Sequence, residues 1–248
     1  MSTEKSAALV IRLADFSESS RVATLFTHTF GKVAVIAKGA KRLKGPFDAA
    51  LDLLALCEVV FIRKSSSGLD ILTEAQLRKR FRPRPHDLGS LYGGYYVAEL
   101  LDALSEEYDP HPLLFEEAAL ALERLTDDWP LDVALLRFEL VLLREIGQLP
   151  AFDSCLACGE PAGSAGHYGF QVSQGGLVCR KCFGEDAPRH IVTAGSLAAL
   201  RNLAGASPTS ARNLVIGPSQ MREMRSVVNT SIAHVLGRKP KTLRYLPL

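Results

Sequence analysis

Apolar residues along the first eighty or so positions come in short alternating bursts. AALVIRLA, RVATLFTH, KVAVIAK, LCEVVFIRK and LDILTEAQL are rich in Val, Ile, Leu and Phe. The turn-forming stretches DFSESS, FGK, KGPFD and KSSSG separate them. Bursts of this length and period predict β-strands. Five of them in so short a span predict a small closed barrel, for which the five-stranded OB-fold is the first candidate. The pattern alone also accommodates an SH3-like barrel.

RKRFRPRPHD closes this region, because Pro83 and Pro85 cannot continue a hydrogen-bonded ladder. From Gly89 the period lengthens. In SLYGGYYVAELLDALSEEYD, Leu91, Tyr95, Ala98 and Leu101 recur near helical spacing. PHPLLFEEAALALERLTDDWP and PLDVALLRFELVLLREIGQLP predict two more helices, with Pro112 and Pro130 at their starts and Gly147 and Pro150 at a stop. After a stretch bearing cysteines and glycines, helical spacing returns in SLAALRNLAG and SQMREMRSVVNTSIAHVLG. The predicted class is α+β and multidomain. An OB-fold barrel covers 1–84, a helical domain covers 85–150 and 190–248, and a zinc-ribbon-like module over 151–189 is inserted into that domain.

Charge sharpens this division. Residues 1–84 hold 15 Lys and Arg against 8 Asp and Glu; 85–150 hold 3 against 14; 190–248 hold 8 against 1. Two cationic regions flanking an acidic one point to a polyanionic partner, whereas the acidic excess on the helices is the mark of a solvated face. No uncharged apolar run of membrane-spanning length is present. The opening MSTEKSAALVIRLADF lacks the long apolar region of a signal peptide. A cytoplasmic, nucleoid-associated location is expected, where thiols stay reduced.

That compartment bears on the cysteines. Cys155-x2-Cys158 and Cys179-x2-Cys182 are separated by twenty residues. Two CxxC pairs at such spacing are the pattern of a zinc site: each pair bends round one ion, and four thiolates complete a tetrahedron with Zn–S near 2.3 Å. The glycine after CLAC lets backbone amides turn towards sulfur, and HYGFQVSQGGLVCRKC reads as a hairpin turning at Gly175-Gly176. Four thiolates leave no position for water, so the zinc is expected to be structural. Cys57, in an apolar strand, is expected in the core.

Catalytic signatures are missing. TFGKVA lacks the glycine and the hydroxyl residue of a phosphate-binding loop, and GxGxxG, GxSxG and HExxH do not occur. Glu106-Glu107 and Glu116-Glu117 diverge by about 100° on a helix, and the six histidines are scattered. A binding protein, not an enzyme, is expected.

The cations cluster. AKGAKRLKG carries Lys38, Lys41, Arg42 and Lys44 where a barrel exposes a loop. LRKRFRPRP carries Arg78, Lys79, Arg80, Arg82 and Arg84; LGRKPKTLRYL carries Arg238, Lys239, Lys241 and Arg244. OB barrels hold single strands in a positive groove with bases stacked on aromatic rings. Phe16, Phe26, Phe30 and Phe61 are available, and alternation does not choose among them. A DNA-binding protein and an RNA-binding protein of translation or RNA processing both fit; a zinc enzyme acting on nucleic acid is a third class.

VIRLADFSESSRVATLFTHTFGKVAVIAKGAKR, GLDILTEAQL, YYVAELLDALSEEYDPHPLLFE, RFELVLLREIGQLP, the double CxxC module and LGRKPKTLRYL occur in one order over the whole chain. In order and spacing the chain resembles the RecO family of bacterial recombination mediators. The resemblance implies an OB-fold, a helical domain and a zinc module. It implies binding of single- and double-stranded DNA and annealing of complementary strands, without nucleotide hydrolysis. The implied partners are RecR, the acidic C-terminal tail of the single-stranded DNA-binding protein and, indirectly, RecA. KGAKR matches the family's basic DNA-binding loop, which singles out Lys38, Lys41 and Arg42. RFEL matches the helix that helps form the groove for the acidic tail, which makes Arg137 a partner-binding candidate; a salt bridge with Glu139, Glu145 or a neighbouring helix is its alternative role. The closing Lys239-Pro240-Lys241-Thr242 departs from the family's usual Lys-Pro-Leu-Lys-Ser.

Overall fold

A computed structural model describes the chain except residues 1, 43–46, 48–49, 65–67, 184–189 and 206–213. It divides into two compact units, 1–128 with 244–247, and 129–243 with 248.

The first unit is a barrel followed by two helices. The strands are β1 (Ser2–Asp15), β2 (Arg21–Thr27), β3 (Gly31–Ala37), β4 (Leu56–Arg63) and β5 (Asp70–Lys79). They close in the order β1-β2-β3-β5-β4, and β4 pairs with β1 to complete the ring. Only the β3–β5 pairing is parallel. Closure depends on the length of β1. Its first half, Ser2–Leu9, pairs with β4, and its second half, Ala8–Asp15, pairs with β2 across a bulge at Val10/Arg12; a bulge bends a strand enough to serve two neighbours. Strand β3 shows the alternation behind this: Val33, Val35 and Ala37 are buried while Lys32, Ala34 and Ile36 are half-buried. Val10, Leu25, Val33, Val35, Val59, Phe61 and Leu72 fill the interior, with Cys57 among them. Burial pushes the Cys57 thiol up to about 11, and its Sγ donates to the Ala50 carbonyl at 3.1 Å. This thiol is a core residue.

Helices α1 (Leu88–Leu104) and α2 (Pro112–Thr126) belong to the same compact unit as the barrel. Asp87 caps α1 by accepting from the Ser90 amide at 3.0 Å, and Arg84 holds the capping carboxylate at 2.6 Å. The face buried in α1 is Gly93, Tyr96, Val97, Leu100 and Leu101; Leu91 and Tyr95 are half-buried. The phase is therefore shifted by about one residue from the expected stripe. Gly94 sets the reason: a Cβ there would lie 2.7 Å from the Phe81 ring and 2.8 Å from Leu54, so α1 packs on its glycine side. Helix α2 begins at Pro112 and buries Leu114, Phe115, Ala118, Leu122 and Leu125.

The second unit is organised around α3 (Leu131–Glu145), in which every residue from Val133 to Leu143 is buried. The sheet of this unit runs β6-β8-β7-β9, formed by β6 (Ala151–Cys155), β7 (His167–Gln171), β8 (Gly176–Cys179) and β9 (His190–Thr193). A one-turn helix α4 (Arg180–Phe183) follows β8, and α5 (Ala194–Gly205) and α6 (Pro218–Leu236) pack on α3. The carboxylate of Glu223 on α6 accepts from the Thr193 amide at 2.8 Å and from the Ser196 hydroxyl at 2.6 Å, tying α6 to the start of α5. Burial raises the Glu223 pKa, and these bonds outweigh it and hold the group below the usual carboxylate range.

Two of the helical acids are not on a solvated face. Glu117 is 3 % exposed and pairs with Arg124, two turns along the same helix. Glu139 is fully buried and accepts two bonds from Arg225 Nη1, at 2.9 and 2.6 Å. For these two the expectation of exposure is corrected: charge is buried where a guanidinium supplies matching donors.

Candidate nucleic-acid interface and metal centre

The loop after β3 lies at one end of the barrel, and the strand register shows what it meets. Asp15 pairs with Arg21, and Arg21 pairs with Ala37, so Phe16, Ser20 and Lys38 continue three neighbouring strands on one rim. The Lys41 amide donates to Ser19 O at 3.1 Å, and the Arg42 amide donates to Gly39 O at 3.0 Å. Gly39 has φ +77°, a left-handed turn that glycine adopts without strain, and the Arg42 side chain passes beside it. The loop is thus tethered to the β1–β2 loop and folded tightly.

Its cations are not equivalent. Lys41 Nζ binds Asp15 Oδ2 at 2.9 Å, and Arg21 Nε binds Asp15 Oδ1 at 3.2 Å. The Lys41 hydrogen bond is the main reason that the Asp15 carboxyl lies below its ordinary range. Lys38 and Arg42 are exposed and have no carboxylate partner among the described residues. Lys44 lies outside the described residues.

The second cluster differs. Arg78 Nε faces Glu58 at 3.9 Å, Lys79 Nζ binds Glu123 at 2.6 Å, and Arg80 Nε faces Asp52 at 3.7 Å. Arg84 is occupied by Asp87 and by the Asp127 carbonyl at 3.0 Å. Each of these four cations has a local carboxylate, which lowers the field it offers to an incoming phosphate; Arg82 is exposed and has no carboxylate partner among the described residues. The spacing RKRFRPR carried no sign of this, because Asp52, Glu58 and Glu123 come from distant parts of the chain.

Arg137 is 4 % exposed, and its Nη1 donates to the Leu203 carbonyl near the end of α5. Its neighbour Arg144 donates likewise to Ala204 O at 2.7 Å. The two guanidiniums cap the C-terminal carbonyls of α5, where positive charge is favoured.

In the second unit the four predicted cysteines come together. The sulfurs of Cys155, Cys158, Cys179 and Cys182 all lie within 4.8 Å of one another. Cys158 Sγ and Cys179 Sγ are 3.8 Å apart. A tetrahedral Zn–S₄ cage, with bonds near 2.3 Å, has edges of about 3.8 Å, and a disulfide would bring sulfurs to about 2.05 Å. The donor set therefore fits one thiophilic, tetrahedral ion.

Local geometry explains the convergence. Cys155 ends β6 and Cys179 ends β8, and these strands pair directly. The first knuckle turns over Cys155–Gly159: the Gly159 amide donates to Cys155 O at 2.9 Å, with φ +73° at the glycine. The hairpin from β7 to β8 turns over 172–175, with Gly175 left-handed and Gln171 opposite Gly176. Burial raises the Cys155 thiol, but the amides of Cys179, Cys158 and Ala157 point at its sulfur and win, bringing it down to about 6. Cys182, exposed on α4, is pushed up to about 12, chiefly by its hydrogen bonds with Cys158 and Cys179. The Cys155 sulfur is thus readied as an anion, while Cys158 and Cys182 are held up as thiols by the sulfurs around them.

Fold and site together define an OB-fold protein with a helical portion and a four-cysteine module. The family description Recombination protein O N terminal matches residues 1–81, and Recombination protein O C terminal matches 85–244. The chain is 35 % identical to a DNA repair protein RecO of Rhodopirellula baltica, over 97 % of each chain. It is 34 % identical to that of Anaeromyxobacter dehalogenans strain 2CP-1, over 99 % of this chain and 96 % of the relative. It is 32 % identical to one of Listeria monocytogenes, over 75 % and 71 %. The chain belongs to the RecO family. No helix among the described residues is long and apolar enough to cross a membrane.

Proposed function

We propose that this protein is a non-catalytic mediator of recombinational DNA repair. In this reading it binds single- and double-stranded DNA and anneals complementary strands. With RecR it helps load RecA onto DNA coated by the single-stranded DNA-binding protein, whose acidic tail it also binds. The observation that carries the reading is the pairing of a RecO assignment over nearly the whole chain with a barrel loop whose Lys38 and Arg42 are exposed and uncommitted among the described residues. Two fixed cations at a rim suit the phosphate backbone, which is read by charge and not by base identity. Lys41 serves the loop differently, by neutralising Asp15 and locking the turn.

The metal in this reading is zinc, held by Cys155, Cys158, Cys179 and Cys182. Four thiolates fill its coordination shell, so it supplies folding energy and no reactive water. The amides on Cys155 prepare the first thiolate for it.

The test is an annealing assay with complementary oligonucleotides, bare and coated by their binding protein, run beside equilibrium binding to DNA and RNA of matched sequence. Faster annealing and preference for DNA are expected. Preference for RNA with no annealing would favour a role in RNA processing, and a chemically altered oligonucleotide would reveal an enzyme; either result defeats the proposal.

A further inference from the structure

Of the four phenylalanines weighed above as stacking candidates, Phe26 and Phe61 are fully buried, and Phe30 packs on the core with its ring edge-on to Phe61 at 5.6 Å. Phe16 is 63 % exposed. It sits at the first position of the β1–β2 loop, on the same rim as Lys38. Among the described residues its ring has no aromatic neighbour.

The loop beneath it is closed. The amides of Phe16 and Ser17 donate to Ser20 O at 3.1 and 3.2 Å, and the Ser20 amide donates to Ser17 Oγ at 3.1 Å. The Lys41 bonds to Ser19 O and Asp15 bind this loop to the cationic one. An exposed phenyl ring is therefore held on a stiff turn beside Lys38 and Arg42. The acids nearby are Asp15, already paired with Arg21 and Lys41, and the exposed Glu18. Isolated exposed apolar residues are common. What sets Phe16 apart is that OB barrels use this loop for oligonucleotides, and that cations stand ready on the adjoining loop.

We propose that Phe16 is a stacking platform for an unpaired base, and that it gives this rim its preference for single-stranded DNA. The inference rests on the DNA-binding reading above and adds to it the residue that distinguishes strands. Lys38 and Arg42 hold the backbone of either form. A phenyl face is different: a base offers its own face only when unstacked, and in a duplex both faces are covered by neighbours. Stacking on an aromatic ring contributes roughly 1–3 kcal/mol per base; at about 1.4 kcal/mol per decade, the middle of that range is roughly 25-fold in affinity.

The test measures binding of a labelled oligothymidylate, and of a duplex of equal length, to the full-length protein and to Phe16→Ala, Phe16→Tyr and the Lys38→Ala/Arg42→Ala pair, with thermal unfolding as the check on folding. Phe16→Ala is expected to lose roughly 25-fold on the single strand, to stay within about twofold on the duplex, and to keep the salt dependence unchanged, since no phosphate contact is lost. Phe16→Tyr should bind as the parent does. If Phe16→Ala binds the single strand normally while the double variant is weakened, the stacking assignment is wrong and the cationic loop stands. Equal loss on both forms would also overturn it, by showing that the ring merely shapes the rim. If neither variant loses affinity, the cationic-loop reading fails and this inference falls with it.

Discussion

Lys38→Ala with Arg42→Ala is the sharpest probe of the cationic loop, because the structure assigns a different expectation to each cluster. Both side chains are exposed and lack a carboxylate among the described residues, so each is free to displace a counterion from DNA. Losing two phosphate contacts should flatten the slope of log affinity against log salt by about 1.4 on single strands and about 1.8 on duplex, at 0.7 and 0.9 per contact. A fourfold range of salt spans about 0.6 decades, so the single-strand deficit should shrink by about sevenfold from the dilute to the concentrated end. Arg78→Ala with Arg80→Ala should change the slope much less, since Glu58 and Asp52 already face those guanidiniums. Lys41→Ala should act by loosening the loop around Asp15. Fluorescence anisotropy titrations at several salt concentrations read all three. An unchanged slope in the first variant, with a flattened one in the second, would move the backbone contact to the segment after β5 and refute the reasoning from ion pairing.

The remaining predictions concern the frame. Protein purified without chelators should carry one zinc per chain by elemental analysis, and Cys155→Ser should abolish it; metal-free yet fully folded parent protein would refute the cage. Glu139→Gln leaves the buried Arg225 guanidinium without its counter-charge and should cost about 3–5 kcal/mol in chemical denaturation. Replacing both residues by apolar ones should recover much of that, and a loss below about 1 kcal/mol in the single variant would contradict the burial argument. Gly31→Ala places a Cβ 2.0 Å from Asp109 O at a residue with φ +68°. The left-handed backbone alone costs about 1–2 kcal/mol and the clash adds to it, so a clear fall in melting temperature is expected, and an unchanged one would mean that the connection before α2 yields freely.

The barrel, the helices and the ligand set of the cage were legible in the sequence because each rests on local rules. Strand β3 reads in or out from its period of two, Pro112 marks a helix start by its missing amide, and two CxxC pairs need only bend back on themselves. Chemistry at the scale of a few residues survives in a one-dimensional record. What depended on residues far apart did not. Within RKRFRPR, Arg78, Lys79 and Arg80 read as free cations until Glu58, Glu123 and Asp52 arrive from elsewhere. Glu139 reads as a surface acid until Arg225, 86 positions on, buries with it. Arg137 reads as a cation awaiting a partner until the end of α5 presents its carbonyl. Among four phenylalanines alternation could not choose, and closure of the barrel left Phe16 outside. The physical reason is range: hydrogen-bonded periodicity and chelate geometry act within a turn or two of chain, whereas charge neutralisation and burial are set by whatever the fold brings within about 4 Å.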